Sequence, residues 1–348
     1  MNGLEPSILP RGVIVLYSAR DEPVSAASKD WLADQETIST AHAVAAALRD
    51  RTSLEVHLVS AAHRVDEKLA VYPPRDYWVF NLFEGLDEPS ADVDGVDDEA
   101  RAAYTLEALG YRFTGARGSA VALAVNKAKA KERLEHHGVV TPKWRVFASA
   151  DQVSEESLRG LGFPLIAKPV AEDSSLGIGT AAVASDLDHL RARVADIVSA
   201  YRQPALVEAF IDGREINVAL WGDPPDLLPV AEIDLSAFSD PLERIVGFRA
   251  KWEEESFEYH HTPAICPARL DKRLEAQIQD VALRAWWACC GSGYGRVDMR
   301  VQGDRAYVLE VNPNPSLAPD AGFARAARAG GYDYAEMVLH ILSLAGKE

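Results

Sequence analysis

The feature that most constrains this chain is the segment GRVDMRVQGDRAYVLEVNPNP, residues 295–315, in which charged and apolar residues alternate on either side of a polar centre. Alternation with a period of two is typical of β-strands, because successive side chains point to opposite faces. The central Gly303-Asp304-Arg305 suits a short loop, since glycine adopts a positive φ without strain. The segment therefore predicts a β-hairpin, in which Gln302 faces Ala306 if those three residues form the loop.

Polar side chains gather on one face of the predicted hairpin. This face carries Arg296, Asp298 and Arg300 on the first strand, and Val308, Glu310 and Asn312 on the second. The register sets Asp298 opposite Glu310, and like charges in that position destabilise a hairpin. Two carboxylates and a carboxamide around one point suit a hard cation such as Mg²⁺ or Ca²⁺, and Mg²⁺ is usually bound together with substrate phosphates. A solvated face, on which the two arginines neutralise the acids, explains the same residues equally well.

The composition limits the functional class. The 348 residues are enough for two or three domains, and 48% apolar with 26% charged residues is ordinary for a folded protein. The formal charge of −17 argues against a surface that neutralises nucleic-acid phosphates. No apolar stretch reaches the length needed to span a bilayer, and PRGVIVLYSA is too short for a secretory signal. We therefore expect a cytoplasmic protein without nucleic-acid or membrane partners.

The order of predicted elements indicates an α/β protein. Up to about Gly118, short apolar runs such as GVIVLYSA alternate with helical patterns such as ISTAHAVAAALRD, which predicts a parallel sheet with helices on its faces. From Ala120 the segment VALAVNKAKAKERLEHHG predicts one helix that ends in a glycine cap. Lys127, Lys129 and Lys131 lie on this helix, and we expect at least two of them on a solvated face.

Three later segments have both a structural and a functional interpretation. The loop EDSSLGIG, residues 172–179, has amides and hydroxyls that suit phosphate oxygens, although by itself a flexible hairpin loop is favoured. Lys168 ends the strand FPLIAK, where its ammonium group needs either an anion or a route to solvent. VEAFIDGREINVAL predicts two strands joined at Asp212-Gly213, and Glu208 and Glu215 then either contact a ribose or adenine edge or lie on a surface hairpin.

In this order the segments resemble the ATP-grasp ligases, and most closely the D-alanine–D-alanine ligases and their relatives. The resemblance runs from FNLFEG and LEALGYRFTGARGSAVALAVNKAKAK, through GFRAKWEEES, to LEVNPNPSLAP. It implies an ATP-grasp fold of three α/β domains, with ATP held between two antiparallel sheets. These would be an N-terminal Rossmann-like substrate domain (1–119), a central subdomain with the Ser/Gly phosphate loop (120–206) and a C-terminal subdomain with the metal site (207–348).

The resemblance also implies which residues bind ATP. They are Lys127, Lys168, Ser174, Ser175, Glu208, Ala209, Phe210, Ile211, Glu215 and Lys251. Within this set the lysines and serines would contact phosphates, Glu208 and the backbone after it would meet the adenine, and Glu215 would meet the ribose.

Metal binding and catalysis follow from the same resemblance. Two Mg²⁺ ions, with Mn²⁺ as the alternative, would be held by Asp298, Glu310 and Asn312. The expected catalytic residues are Arg296, which would stabilise an oxyanion, Lys251, which would approach the γ-phosphate, and Ser174.

The substrate-binding end departs from the family pattern. The resemblance implies a substrate set of Asp21, Glu22, Trp252, Arg296, Ser316, Asp320 and Ala321. The chain reads NPNPSLA from Asn312 where the family has Asn-Thr-x-Pro-Gly-Met-Thr, and Trp252 replaces a common tyrosine. Asp21 or Glu22 would grip the amine of the first substrate. Ala321 stands where the family has a serine that holds the acceptor carboxylate, and its neighbour Asp320 would repel that carboxylate.

The predicted function is ATP- and Mg²⁺-dependent ligation of a carboxylate to an amine through an acyl phosphate, in specialised dipeptide or natural-product formation. The alternatives are a cell-wall D-alanine–D-alanine ligase, a nucleotide-binding protein, and a small-molecule kinase without ligation. The partners would be ATP, consumed as a substrate, and small carboxylate and amine substrates. A homodimer is expected by analogy with relatives.

Overall fold

The computed structural model describes residues 10–20, 29–62, 64–85, 97–171 and 179–346. The strands in these residues are β1 (Gly12–Ser18), β2 (Glu55–Ala61), β3 (Tyr77–Leu82), β4 (Trp144–Phe147), β5 (Leu165–Pro169), β6 (Val183–Ala184), β7 (Ala205–Ala209), β8 (Arg214–Trp221), β9 (Asp226–Leu227), β10 (Ala231–Ile233), β11 (Ala264–Ile265), β12 (Tyr294–Gln302) and β13 (Arg305–Pro313). The α-helices are α1 (Lys29–Arg51), α2 (Val65–Leu69), α3 (Asp98–Leu109), α4 (Gly118–Val125), α5 (Lys127–His136), α6 (Leu187–Tyr201), α7 (Phe248–Trp252), α8 (Phe257–His260), α9 (Lys272–Cys289), α10 (Gly322–Ala329) and α11 (Tyr334–Ala345). Short 3₁₀ turns cover Ala150–Gln152, Thr180–Ala182 and Pro241–Glu243.

The N-terminal strands form the parallel sheet that the sequence predicts, in the order β2-β1-β3. Strand β1 is buried along nearly its whole length, as expected for a strand covered on both faces. On one face Ile14 and Leu16 pack in the same core as Leu106 of α3. On the other face Val13 shares a core with Val338 of α11, so the last helix of the chain covers the first sheet.

The remaining strands form two antiparallel sheets. One has the order β4-β7-β5-β6, and the other has the order β11-β10-β8-β12-β13 with β9 paired to β8. Helix α6 packs on the first of these through Leu190, Val194 and Ile197, and helix α9 packs on the second. The predicted boundary between residues 206 and 207 falls inside β7, and the domain limits stay a prediction.

Consecutive strands β7 and β8 lie in different sheets, so the predicted hairpin at Asp212-Gly213 is wrong. Strand β7 pairs with β4 and β5, whereas β8 pairs with β10 and β12. Gly213 is needed for another reason, because a Cβ there would lie 2.4 Å from the carbonyl oxygen of Val301. A glycine that permits close backbone approach looks, in sequence, like a turn glycine. Residues 210–213 therefore cross from one antiparallel sheet to the other.

The lysine-rich segment forms two helices, not the single helix predicted. Asn126 separates α4 from α5 with a non-helical backbone, φ −85° and ψ 94°. Its side chain accepts a hydrogen bond from the amide of Lys129 at 3.0 Å, which is the usual role of asparagine before a helix. The break makes Lys127 the first residue of α5, where its amide donates to the carbonyl oxygen of Val170 at 2.9 Å.

Within the described ranges, no helix combines the length and apolar character required to cross a membrane.

Candidate active site

The hairpin of β12 and β13 forms with a shorter turn than the sequence predicts. Its loop consists of Gly303 and Asp304, and Gly303 has a φ of 58°. Gln302 consequently pairs with Arg305 and not with Ala306. The first pairs of the hairpin are thus one residue out of the predicted register.

A β-bulge restores the predicted register at the polar pair. Met299 pairs with Val308, the pairing then shifts by one residue, and Asp298 pairs with Glu310. The residue passed over is Leu309, which has no partner in the ladder. Val308 lies in the apolar core and not on the face of Glu310, which corrects the predicted alternation of β13. The shorter turn and the bulge shift the register by one residue in opposite directions. The predicted opposition of Asp298 and Glu310 is therefore confirmed.

Asp298 accepts hydrogen bonds from three side chains. Arg296 donates from Nε to Oδ1 and from a terminal nitrogen to Oδ2, both at 2.7 Å. Asn217 on β8 donates to Oδ1 at 2.7 Å, and Asn312 donates to Oδ2 at 2.8 Å. Asp298 is only 7% exposed, so the alternative of a solvated face is wrong here. The bidentate Arg296 contact and the two amide donors offset the repulsion from Glu310.

Cationic side chains from four elements converge on Glu310. Burial by itself would raise the pKa of this carboxyl, but the charges of Lys127, Lys168, Lys251 and Arg296 outweigh burial and lower the pKa to about 2. These residues lie on α5, β5, α7 and β12 respectively. The structure thus brings together the expected phosphate-binding lysines, the expected oxyanion-binding arginine and one of the expected metal ligands.

The three expected metal ligands also lie together. The amide nitrogen of Asn312 is 2.8 Å from Asp298 Oδ2 and 3.5 Å from Glu310 Oε1. Among the described residues, no group of three or more His, Cys, Asp or Glu side chains forms a metal site, so an amide ligand is required for a three-residue set. Rotation of the Asn312 amide by 180° exchanges its nitrogen and oxygen and presents an oxygen ligand. The donor set then fits Mg²⁺ or Mn²⁺, which prefer oxygen.

A second charged cluster is buried beside the first and was not predicted. Glu208 on β7 lies between Lys131 on α5 and Lys168 on β5, with Lys168 Nζ 2.5 Å from Glu208 Oε2 and Lys131 in contact with Oε1. Lys131 also donates to Thr141 Oγ1 at 2.6 Å and lies 3.4 Å from the carbonyl oxygen of the bulge residue Leu309. Lys131 and Glu208 are each 1% exposed. The cluster therefore joins α5 to β5, β7 and the hairpin.

The expectation that at least two lysines of α5 face solvent is wrong. Lys127 and Lys131 are buried, and Lys129 is the exposed one. Burial lowers the pKa of Lys131 more than the charge of Glu208 raises it. For Glu208 burial acts to raise the pKa, but the two lysines outweigh it and the pKa is lowered. The contact between Glu208 and adenine stays a prediction, and here both carboxylate oxygens of Glu208 face lysine ammonium groups.

Glu215 lies in a buried ion pair and not on a surface hairpin. Arg300, its neighbour on β12, places a terminal nitrogen 2.6 Å from Glu215 Oε2. Arg300 also donates to the carbonyl oxygens of Gly213 at 3.1 Å and Arg244 at 2.6 Å. Burial raises the pKa of Glu215, with Asp298 adding to the effect and Arg300 opposing it. The pair fixes the start of β8 next to the crossing segment.

The residues expected at the adenine lie at the end of β7 and at the start of the crossing segment, residues 210–213. Ala209 donates its amide hydrogen to the carbonyl oxygen of Lys143 at 2.8 Å, and Phe210 donates to that of Pro164 at 3.1 Å. Both residues, like Ile211, are half-buried. The backbone of this segment is consequently held in place at the point where the two antiparallel sheets meet.

Lys251 lies on the short helix α7 and is exposed to solvent. Desolvation of its ammonium group by the surrounding protein lowers the pKa of Lys251, and the charge of Arg296 lowers it further. The carboxylates of Glu310, Asp298 and Glu215 oppose the shift. These neighbours place Lys251 beside the charged side chains of the hairpin formed by β12 and β13. The side chain of Trp252 and all of Asp21, Glu22, Ser174 and Ser175 lie outside the described residues.

The expected acceptor-binding residues lie beyond the end of β13. Ser316 donates from Oγ to Glu36 Oε1 at 2.9 Å, which connects this segment to α1. Asp320 is exposed, and its carbonyl oxygen accepts a hydrogen bond from Arg325 at 2.9 Å. Ala321 precedes α10 and provides no side-chain cap. The bonds at Asp320 and Ala321 are thus within α10 and the turn before it.

Two site residues were missed in the sequence although a signal for each was present. Lys131 follows Lys127 by four residues, so the two share a helix face with each other, and Leu134 continues that face into the core. Asn217 follows Glu215 by two residues on β8 and therefore shares its face. Neither the four-residue spacing on the helix nor the two-residue spacing on the strand identifies the side chain that Lys131 or Asn217 contacts in the folded protein. These contacts could therefore not be predicted.

The match to a family model and the similarity to curated proteins agree on the family. Residues 134–343 match the family described as "D-ala D-ala ligase C-terminus". The chain is 33% identical over 246 residues to a D-alanine–D-alanine ligase of Desulforudis audaxviator, covering 69% of this chain and 74% of the relative. It is 30% identical over 269 residues to uncharacterized protein y4sG of Sinorhizobium fredii, covering 77% and 74%.

The fold is that of a solved ligase. The crystal structure of D-alanine–D-alanine ligase from Bacillus anthracis complexed with ATP superposes with a TM-score of 0.72, at 21% identity and 96% coverage of both chains. With this match the predicted ATP-grasp fold is confirmed. The chain belongs to the D-alanine–D-alanine ligase family of ATP-grasp enzymes and is an ADP-forming carboxylate–amine ligase.

Proposed function

We propose that this ligase activates the carboxylate of an amino acid or a similar small molecule as an acyl phosphate and joins it to a second substrate's amine. The observation that carries the proposal is the convergence of four cationic side chains on Glu310, next to Asp298 and Asn312. A polyphosphate bound with a divalent cation requires this combination of positive charge and oxygen ligands.

The nucleotide site in this proposal lies between the two antiparallel sheets. The backbone of residues 209–211 would contact the adenine, Glu215 the ribose, and Lys127 and Lys168 the phosphates. Two ions of Mg²⁺, or of Mn²⁺, would be held by Asp298, Glu310 and Asn312. When bound, Mg²⁺ offsets negative charge on the phosphate oxygens and so favours attack at the γ-phosphorus.

The reaction would then proceed in two displacements. A carboxylate oxygen of the first substrate attacks the γ-phosphorus, and the bond to the β–γ bridging oxygen breaks to release ADP. The neutral amine nitrogen of the second substrate attacks the acyl carbon, a proton leaves the nitrogen, and inorganic phosphate departs. An amide and ADP plus phosphate are the products.

Each residue of the site would have a separate role in these two displacements. Arg296 is held by two hydrogen bonds of 2.7 Å to Asp298, and a fixed cation stabilises a developing oxyanion without reorganisation. Lys251 would neutralise the γ-phosphate during transfer. The segment containing Ser174 and Ser175 would close over the phosphates and exclude water, which otherwise hydrolyses an acyl phosphate.

A substrate pair other than two D-alanines is supported by the residues after β13. Asp320 is exposed and precedes Ala321, which has no hydroxyl to hold an acceptor carboxylate. An acidic side chain at this place disfavours an acceptor that carries a free carboxylate nearby. We therefore propose specialised dipeptide or natural-product formation. The D-alanine–D-alanine pair is the alternative that the names of the relatives support.

The test is ADP release with Mg²⁺ and ATP across a matrix of amino acids and amines in both configurations, with mass spectrometry on active mixtures. ADP that requires two organic substrates, together with a product of the condensed mass, is the expected result. Turnover of two D-alanines equal to that of any other pair would overturn the specialised role. A phosphorylated product without a new amide would overturn ligation in favour of a kinase.

We also propose that the enzyme acts in the cytoplasm, where ATP is available, and as a homodimer. Light scattering of the purified protein tests the second point directly, since a mass of one chain contradicts it.

A further inference from the structure

A row of polar side chains crosses three neighbouring strands at the candidate active site. Asn217 on β8 is the ladder partner of Asp298 on β12, and Asp298 is the ladder partner of Glu310 on β13. Residues directly opposite each other on adjacent strands share a face of the sheet. Ile216 and Val218, on either side of Asn217, point into the apolar core on the other face. Asn217 therefore lies on the same face as the expected metal ligands.

The side chain of Asn217 acts as a hydrogen-bond donor at this place. Its amide nitrogen lies 2.7 Å from Asp298 Oδ1, within the usual range of a hydrogen bond. The two ends of the amide are not equivalent, because the nitrogen donates and the oxygen accepts. Turned by 180°, the amide would place its oxygen beside a carboxylate oxygen, where two acceptors repel each other. The contact with Asp298 consequently fixes which end of the amide faces the site.

Hydrogen bonds fill the acceptor positions of the Asp298 carboxylate. An ionised carboxylate has about two such positions on each oxygen. Oδ1 accepts from Arg296 Nε and from Asn217, both at 2.7 Å. Oδ2 accepts from a terminal nitrogen of Arg296 at 2.7 Å and from Asn312 at 2.8 Å. A cation therefore gains a position on Asp298 when one of these donors turns away.

The two amide donors differ in their surroundings. Asn312 is itself an expected metal ligand, and its Nδ2 also lies 3.5 Å from Glu310 Oε1. Rotation of its amide towards an ion frees a position on Asp298 Oδ2, beside the second expected carboxylate. Within the described ranges, the side chain of Asn217 makes its hydrogen bond to Asp298 Oδ1 and no other. The bond from Asn217 is thus the one that is kept when an ion binds.

We propose that Asn217 is a positioning residue of the metal site and contributes to the choice of ion. It holds Asp298 Oδ1 from the side of β8, opposite to the side of Asn312, and so leaves Oδ2 as the oxygen available to the ion. Mg²⁺ requires ligands close to ideal octahedral positions, whereas Ca²⁺ accepts variable geometry and more oxygens. A firmly held Asp298 therefore favours Mg²⁺ over Ca²⁺. The inference rests on the metal ligands of the proposed function.

Stabilisation by metal ions tests the inference without turnover. The unfolding temperature is measured with ADP present while magnesium or calcium chloride is titrated, because an ion that binds the folded protein stabilises it according to its affinity. Asn217→Leu has a similar volume but no donor, and Arg296 still bonds both oxygens of Asp298. Its apparent affinity for Mg²⁺ should fall about tenfold or more, the usual effect of removing a partner of a metal ligand. Its affinity for Ca²⁺ should change by less than about threefold.

The ratio of the Mg²⁺ affinity to the Ca²⁺ affinity separates three roles for Asn217. A lower ratio in Asn217→Leu than in the wild type is the expected result. If Asn217 were itself a ligand, Ca²⁺ would lose at least as much affinity as Mg²⁺, because it uses more oxygen ligands. If Asn217 served the fold alone, the metal-free unfolding temperature would fall and the ratio would not change. Either of the last two results would overturn the inference.

Asn217→Thr tests the hydrogen bond itself. A threonine hydroxyl can donate to Asp298 Oδ1, and a β-branched side chain suits the interior of a sheet. The ratio of Mg²⁺ to Ca²⁺ affinity in this variant is expected to lie between those of Asn217→Leu and the wild type. Equal ratios in the leucine and threonine variants would contradict a role for the donated hydrogen bond.

Two further comparisons serve as controls. Gln277 lies on α9, which covers the other face of the sheet, and donates from its amide to the carbonyl oxygen of Asp304 at 2.7 Å. Gln277→Leu therefore also removes an amide hydrogen bond, and its affinity ratio should equal that of the wild type. Glu310→Gln should lose most of its affinity for both ions. Glu156→Gln, at a side chain that is 85% exposed, should keep both affinities.

The wild type and Glu310→Gln distinguish failure of this inference from failure of the proposed function. If neither ion raises the unfolding temperature of the wild type, or if Glu310→Gln responds as the wild type does, the proposed metal ligands are wrong and the inference falls with them. If the ions stabilise the wild type through Glu310 but the ratio in Asn217→Leu is unchanged, the proposed ligands stand and the role of Asn217 alone is overturned.

Discussion

Two neighbouring groups of charged side chains in this protein differ in how far they are exposed to solvent. The hairpin cluster consists of Arg296, Asp298, Glu310 and Asn312, and the lysine cluster consists of Lys131, Lys168 and Glu208. The lysine cluster is sealed, with exposed side-chain fractions of 1%, 8% and 1%. The hairpin cluster is more open, since Arg296 is 24% exposed and Glu310 is half-buried.

This difference in exposure indicates which of the two clusters can bind a ligand. In the lysine cluster each oxygen of Glu208 already faces an ammonium group, and solvent does not reach it. In the hairpin cluster Glu310 is surrounded by cations, and its hydrogen bond from Asn312 Nδ2 to Glu310 Oε1 is long, at 3.5 Å. A sealed ion pair supports the fold, whereas the more open hairpin cluster, with Lys127, Lys168 and Lys251 around Glu310, can receive an anion. Lys168 belongs to the surroundings of both, because Glu208 and Glu310 both raise its pKa against the effect of burial.

The largest expected effect is the loss of stability in Glu208→Ala. The change leaves the buried ammonium groups of Lys131 and Lys168 without their counter-charge. Breaking a buried ion pair by removing one partner costs about 3–5 kcal/mol, and we expect a decrease of that size in the free energy of unfolding measured with urea. Glu156→Ala, at an exposed position, should change it by no more than about 0.5 kcal/mol. A loss below about 1 kcal/mol in Glu208→Ala would show that the lysine cluster is not structural.

The next largest effect is expected on activity in Glu310→Gln. The variant keeps the shape of the side chain but removes one charged oxygen from the expected metal ligands. Removal of one preorganised electrostatic contact typically lowers kcat about a hundredfold or more, and we expect that loss in ADP release. The Glu156→Gln control should keep the wild-type rate. Activity of Glu310→Gln within a few-fold of the wild type would contradict the assignment of the hairpin cluster as the reactive region.

The two clusters also differ in how far the sequence predicts them. The hairpin cluster comes from one continuous segment, and strand alternation sufficed to group Arg296, Asp298, Glu310 and Asn312. Even so, the turn was predicted one residue too long, and only the bulge at Leu309 preserved the opposition of Asp298 and Glu310. A bulge depends on the neighbouring elements, so alternation alone does not reveal it.

The lysine cluster comes from three elements, on α5, β5 and β7, that meet only in the folded chain. From the sequence Lys131 was expected on a solvated helix face by default, and its partner Glu208 is 77 positions further on. The break at Asn126 and the crossing at 210–213 decide these contacts, and both were predicted otherwise. The resemblance to a family identified the fold and the expected site residues, but it did not supply these contacts.

A smaller effect is expected from pH. The folded pKa of Glu310 is about 2 and its ordinary value is 4.5, so its charge stabilises the fold above pH 4.5 and this contribution is lost as the pH falls towards 2. The measurement is the difference in unfolding free energy between the wild type and Glu310→Gln. This difference should shrink by about 1 kcal/mol between pH 6 and pH 3.5, with partial solvent exposure limiting the effect. A constant difference would mean that the four cations do not lower the pKa of Glu310.

The smallest effect is expected in Lys131→Met, and it sharpens the comparison within the lysine cluster. Burial lowers the pKa of Lys131 more than Glu208 raises it, so the charged form is held at an unfavourable place. Glu208 keeps Lys168 as a partner in the variant, and methionine fills a similar volume without a charge to desolvate. Replacement of a buried ion by an apolar side chain is often neutral, and we expect the unfolding free energy to change by no more than about 1 kcal/mol. A loss equal to that of Glu208→Ala would contradict this asymmetry, because Lys131 would then be as necessary to the cluster as the carboxylate it contacts.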